Sequence, residues 1–187
     1  MSERAQQLRL LEALLFAAAE PLGEEVLARH LGEWADVPDL LRELAESFAG
    51  RGVNLVRLAG GWAFRTAPDL APRLRIERPV ARKLSRAAVE TLAVIAYHQP
   101  VTRAEIEQIR GVVVAKGTID ALMEAGWVRP RGRRLGPGRP LLWVTTPEFL
   151  VHFGLDSLAD LPGLDELRGA GLLDVAPAVL LEVATEA

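Results

Sequence analysis

The chain contains no cysteine, so disulfides, thiol nucleophiles and thiolate metal sites are all excluded. That absence is compatible with a cytoplasmic protein. Histidine is nearly as scarce. His30, His98 and His152 fall in no metal-ligand spacing. Each lies near an expected helix end, where the ring can serve the last carbonyls. No run of about 18 uncharged apolar residues is present, which excludes a membrane-spanning helix of ordinary type. The opening Met1-Ser2-Glu3-Arg4, followed by a stretch that Arg9 and Glu12 interrupt, does not read as a signal peptide. Lysine occurs only as Lys83 and Lys116 against 20 arginines, a bias that genome composition or a hot habitat produces.

Catalytic signatures are missing as well. The glycine-rich stretch 131–140 lacks the Gly-Lys-Ser/Thr ending of a phosphate loop, and Gly136-x-Gly138 lacks the third glycine of a dinucleotide fingerprint. Glu105 and Glu107 read as capping and helix-surface carboxylates, with nothing to bury them as an acid–base pair. No nucleophile elbow occurs. The expectation is a protein that is not an enzyme and binds no cofactor and no metal.

What is present is an echo at an offset of 79 residues. Glu20-Pro21-Leu22 returns as Gln99-Pro100-Val101, Gly32 as Gly111, and Thr66-Ala67-Pro68-Asp69-Leu70 as Thr145-Thr146-Pro147-Glu148-Phe149. Proline fixes φ and glycine tolerates φ > 0, so punctuation that recurs in step implies one small fold built twice. The length of 187 residues fits two domains of roughly 80 residues each.

Element order repeats in parallel. A first helix spans about 3–19, with Leu8, Leu11, Leu15 and Ala18 on one stripe and Leu10, Leu14 and Ala17 on a second. A helix apolar on two faces is buried on two faces, which makes the second stripe a candidate interface. A second helix carries Val26, Leu27 and Leu31. A third, capped by Asp36 with Pro38 in its first turn, carries Val37, Leu41, Leu44 and Phe48. Alternating strands follow at 53–58 and 62–66, with a short helix after Pro68.

In the second half a helix spans 85–97. Thr102 and Glu105 then form a capping box, with Val101 and Ile106 as its staple. Ile106 and Ile109 are assigned to the core. A third helix at 117–125 is assigned buried Ile119, Leu122 and Met123. Strands at 127–129 and 141–145 flank a wing, 131–140. Three helices and a hairpin, twice over, read as α+β, mainly helical: two tandem winged-helix domains. The expected boundaries are 1–78 and 85–167, joined by a linker at 79–84, with an acidic tail at 168–187.

Charge is segregated. Residues 1–50 carry −6, residues 51–147 carry +10 and residues 148–187 carry −7. Such a chain can dock its ends on its own middle, on a second copy or on a partner. Arg131, Arg133, Arg134 and Arg139 make the wing either a solvated hairpin or a surface that steers an acidic partner or touches DNA. The third helices, which a sequence reader places in the major groove, carry Asp39, Glu43 and Glu46 in one half and Asp120 and Glu124 in the other. Those acids argue against the alternative function, a dimeric winged-helix transcription regulator.

Several blocks resemble the bacterial segregation and condensation protein B family. They begin with Glu12-Ala13-Leu14-Leu15-Phe16-Ala17 and Glu20-Pro21-Leu22. The most specific is Leu84-Ser85-Arg86-Ala87-Ala88-Val89-Glu90-Thr91-Leu92-Ala93-Val94-Ile95-Ala96-Tyr97, continued by Gln99-Pro100-Val101-Thr102-Arg103-Ala104-Glu105-Ile106-Glu107 and Ile109-Arg110-Gly111-Val112. Gly136-Pro137-Gly138-Arg139-Pro140-Leu141-Leu142, Phe149-Leu150, Phe153-Gly154-Leu155 and Asp160-Leu161-Pro162 complete the match. One departure stands out: Val113-Val114-Ala115 replaces a polar Asn-Ser-type segment.

The resemblance implies a non-enzymatic, cytoplasmic and nucleoid-associated subunit of the bacterial condensin complex, serving chromosome condensation and partition. By that resemblance the chain dimerises through its first domain, for which Leu10, Leu14 and Ala17 are the candidate seam. The dimer binds the kleisin, segregation and condensation protein A, and reaches the SMC ATPase through it. A helix-in-groove contact on the second domain makes Leu92, Ile95 and Tyr97 the candidate kleisin residues.

Overall fold

The computed structural model describes residues 2–32, 34–74 and 84–163. The chain divides into two compact units, Met1–Arg78 and Pro79–Ala187, each with its own mixed α/β core.

In the first unit, α1 (Glu3–Ala17) starts at Ser2, whose hydroxyl accepts from the Ala5 amide. It stops two residues short of the expected end. Helix α2 (Glu24–Leu31) ends at Gly32, and α3 (Val37–Phe48) is capped by the Asp36 carboxylate. Strands β1 (Val53–Leu58) and β2 (Gly61–Thr66) pair in an antiparallel hairpin. Its two-residue turn, Ala59-Gly60, has both residues at positive φ, the geometry that matches strand twist in tight hairpins. Leu11, Leu27, Leu40 and Leu41 form the centre of the core, with Trp62 and Phe64 of β2 packed on it. Gly61 lies so close to Pro21 that a Cβ there would sit 3.0 Å from that residue's backbone. Any larger side chain would lever the hairpin off the helices.

In the second unit, α4 (Arg86–His98) is capped by Ser85. A two-residue strand β3 (Val101–Thr102) precedes α5 (Arg103–Arg110), which begins with the full Thr102/Glu105 capping box and ends at left-handed Gly111. Helix α6 (Thr118–Glu124) leads to β4 (Val128–Arg133), β5 (Leu141–Thr145) and α7 (Pro147–Phe153). The sheet order is β3-β5-β4. Leu92, Ile95, Ile106, Leu122 and Phe149 are fully buried in this core.

Four expectations need correction. Ile109 is 47% exposed and Met123 is exposed, because Ile106 and Leu122 already fill the inward positions of these two short helices. Strand β4 continues to Arg133 through an irregular register between Pro130 and Arg133, a bulge that lets the strand run on past Gly132. Arg131 and Arg133 therefore belong to a strand rather than to a loop. The short helix expected after Pro68 is a single 3-10 turn, Ala71–Leu74.

Candidate functional site

Two surfaces collect the features that core packing does not use. The first lies on α1. Its inward stripe is Leu11 and Leu15, while Leu8 and Leu14 pack partly against the same core. Leu10 is 43% exposed, Phe16 is 83% exposed, and Ala13 and Ala17 are exposed between them. At 3.6 residues per turn these four positions span an arc of about 120°, the width of a second buried face. Of the expected seam, Leu10 and Ala17 are on this surface and Leu14 straddles it and the core. Phe16 is the side chain that sequence reasoning missed. Its position is six residues from Leu10, outside the 3–4 spacing used to draw the stripe.

The N-terminus of α1 is held in place by charge. Arg4 Nε donates to Glu43 at 2.8 Å and Arg4 Nη2 to Asp39 at 2.5 Å, while Arg42 also pairs with Asp39. These hydrogen bonds, from Arg4 first and Arg42 second, hold the Asp39 carboxyl below its ordinary value. Asp39 and Glu43 of α3 thus face α1 of their own unit.

The second surface lies on the other unit. Leu92 and Ile95 are 0% exposed, so a partner that leaves the unit folded cannot touch them. Their helical spacing marked a buried face, and the structure assigns that face to the core. Tyr97 is half-buried, with its hydroxyl donating to the Pro162 carbonyl at 2.8 Å. Among the exposed large apolar residues of this unit, Ile109, Val112 and Val113 fall close together in sequence, the last 77% exposed. They sit at the end of α5 and just after Gly111, and the departure at 113–115 is the sequence signal that could have drawn attention to them.

An ion network links α5 to α4. Arg110, with only 6% of its side chain exposed, donates to Glu90 at 2.8 Å, and Arg86 donates to Glu90 at 3.0 Å. Arg110 foremost holds the Glu90 carboxyl below the usual range. Nε and Nη1 of Arg110 are buried without a hydrogen-bond partner. Among the described residues, Glu90 is therefore the one anion paired with this buried guanidinium.

The wing is exposed along 129–141. Within it Arg134 pairs with Glu105 at 2.7 Å and Arg133 donates to the Arg139 carbonyl at 3.0 Å. The wing arginines are thus not equivalent: Arg134 is neutralised, whereas Arg131 and the side chain of Arg139 make no polar contact among the described residues. His30 Nδ1 lies 2.8 Å from the Val26 carbonyl. His152 stacks on Trp127 with centroids 4.3 Å apart, and burial lowers its pKa. No group of three His, Asp or Glu side chains among the described residues is placed to hold a metal. No helix among them is long and apolar enough to cross a membrane.

Each of the two small α/β units thus leaves distinctive exposed surface, the first an apolar helix face and the second an apolar corner and a basic hairpin. The family model described as segregation and condensation complex subunit ScpB matches residues 9–164, and the chain belongs to that family. Proteins named segregation and condensation protein B are similar to it throughout. The one from Syntrophotalea carbinolica is 49% identical over 163 residues, covering 84% of this chain and 81% of that one. The one from Desulforamulus reducens is 47% identical over 172 residues, covering 90% and 94%. The crystal structure of ScpB from Mycobacterium tuberculosis is 33% identical over 83% of this chain and 99% of that one, with a TM-score of 0.38. A conserved hypothetical protein from Chlorobium tepidum is 41% identical over 82% and 98%, with a TM-score of 0.37.

Proposed function

We propose that the chain is a non-enzymatic accessory subunit of a bacterial SMC–kleisin complex, built from two winged-helix modules, that pairs with a second copy through its first unit and binds the kleisin through its second. The observation that carries this reading is the α1 face of Leu10, Ala13, Phe16 and Ala17, which is exposed in the single chain. Large apolar side chains clustered on one face of a helix mark an interaction site. A self-complementary face closed by a two-fold axis is the most common way to cover one.

The kleisin, segregation and condensation protein A, meets the corner formed by Ile109, Val112 and Val113, while Tyr97, half-buried near the end of α4, is the remaining candidate of the helix whose Leu92 and Ile95 are buried. An amphipathic kleisin helix suits an apolar surface of this kind. The SMC ATPase is reached through the kleisin, in the cytoplasm and at the nucleoid. A transcription regulator is disfavoured because α3 commits Asp39 and Glu43 to Arg4 and α6 exposes Asp120 and Glu124.

The test is co-purification with segregation and condensation protein A, followed by light scattering. Wild type is expected to form a stable complex containing two copies of this chain. Val113→Asp is expected to remain a folded homodimer and to weaken kleisin binding at least about tenfold, about 1.4 kcal/mol. An unchanged complex with Val113→Asp would remove this corner from the interface.

A further inference from the structure

In the second unit a cavity of about 380 Å³ opens between the start of α5, the turn 115–117 before α6, and the hairpin β4–β5. Arg103, Lys116 and Arg133 approach it from those three segments, Trp143 and Leu141 supply apolar wall, and Asp120 is the one acid lining it. Residues far apart in sequence bring three cations to one concave surface, which the sequence as a string of charges did not show. Arg103 is partly committed, donating to Glu107 at 3.1 Å and to the Val114 carbonyl. Lys116 has no polar partner among the described residues.

Beyond the cavity the positive surface continues along the hairpin. Arg129, Arg131 and Arg139 are exposed and make no side-chain hydrogen bond or ion pair among the described residues. No acidic residue occurs anywhere in 125–147. Arg129 pairs with Val144 and so lies on the sheet face away from Trp143, which leaves Arg131 and Arg139 as the hairpin cations that extend this surface. A peptide segment seated in the cavity would leave these two arginines unused. An extended polyanion running through the cavity and along the hairpin meets both.

We propose that this face of the second unit binds the sugar–phosphate backbone of duplex DNA, without reading bases. Lys116, Arg131, Arg133 and Arg139 contact phosphates, and the apolar wall at Trp143 and Leu141 packs against sugars. Helix α6 carries no reader of guanine or adenine: its exposed side chains are Asp120, Met123 and Glu124, none of which donates the paired hydrogen bonds that those bases require. The binding therefore has the signature of counterion release, in which affinity depends on salt and hardly on sequence. This function is additional to kleisin binding and does not rest on it.

The test is fluorescence anisotropy of the full chain alone with a labelled random-sequence duplex of about 30 base pairs, between about 50 and 200 mM salt. Wild type is expected to bind in the micromolar range at the lower salt, with log K falling against log salt at a slope of about −4, as four phosphate contacts imply. The triple variant Lys116→Ala, Arg131→Ala, Arg139→Ala is expected to keep the wild-type thermal midpoint, to bind at least about tenfold more weakly and to bring the slope to about −1. A charge-matched control in the first unit, Arg29→Ala, Arg42→Ala, Arg51→Ala, is expected to bind like wild type. Absence of wild-type binding at the lower salt would overturn the proposal. So would an equal loss in the control, a strong dependence on base sequence, or tighter binding to an acidic peptide than to the duplex.

Discussion

In the first unit the hairpin turns tightly at Ala59-Gly60, and an isolated bridge between Leu22 and Trp62 ties it to the helices. In the second unit the same tie has grown into a strand, Val101 pairing with Trp143 and Thr102 with Leu142, and the hairpin is longer, bulged and basic. Beyond the hairpin the copies part again. Thr146 caps α7, its hydroxyl accepting from the Phe149 amide at 3.2 Å and donating to the Gly126 carbonyl at 2.6 Å. Its counterpart Ala67 has no side-chain oxygen, and among the described residues of that unit a 3-10 turn, Ala71–Leu74, is all that follows. Small changes in side-chain chemistry on one frame thus decide which unit keeps a closing helix and which surface each leaves open. The first unit leaves an apolar helix face, and the second an apolar corner and a basic hairpin.

The sharpest way to break this contrast is to make the first unit's open face polar. The double variant Leu10→Asp, Phe16→Asp is expected to convert a dimer to a monomer, weakening self-association at least about 100-fold, about 3 kcal/mol. Circular dichroism is expected to stay native, since both side chains point away from Leu11 and Leu15. The equivalent change in the second unit, Val113→Asp, is expected to leave the dimer intact.

The second unit contains a buried guanidinium, Arg110, that among the described residues depends on one carboxylate, Glu90. Glu90→Gln is expected to destabilise that unit by roughly 2 kcal/mol, below the usual range for breaking a buried pair because Glu90 keeps some contact with water. Differential scanning calorimetry should show that transition shifting while the first unit's does not. Because the folded Glu90 carboxyl lies below its ordinary value of 4.5, its stabilisation is complete above that value. It is lost as pH falls through the lower folded value, so wild type and Glu90→Gln should converge in acid.

A smaller effect comes from making the copies alike. Thr146→Ala, which gives the second unit the residue found at Ala67, is expected to cost about 1 kcal/mol and to fray α7. Urea unfolding monitored at Trp127, which stacks on His152 and Phe153 of that helix, measures it.

Much of the frame was legible in sequence because its signals are local. The Ser85 and Asp36 caps, the Thr102/Glu105 box and the stops at Gly32 and Gly111 each depend on residues within one turn of the chain. Side-chain destinations were less legible. Ile109 and Met123 sit at positions a helical stripe would bury, but helices this short bury only the residues nearest the core centre. Leu92 and Ile95 carried the strongest family likeness and are the least accessible, since core packing also demands a fixed sequence. The cation cavity was invisible because Arg103, Lys116 and Arg133 come together only when α5, the α6 turn and β4 are folded.

The central claim is that the first unit joins two copies through α1. Sedimentation equilibrium of the purified full chain at micromolar concentration tests it most directly. The account requires a mass twice the 20.3 kDa of one chain for wild type, and a single-chain mass for a natively folded Leu10→Asp, Phe16→Asp variant. A wild-type monomer at that concentration, or a variant that stays dimeric, would contradict it.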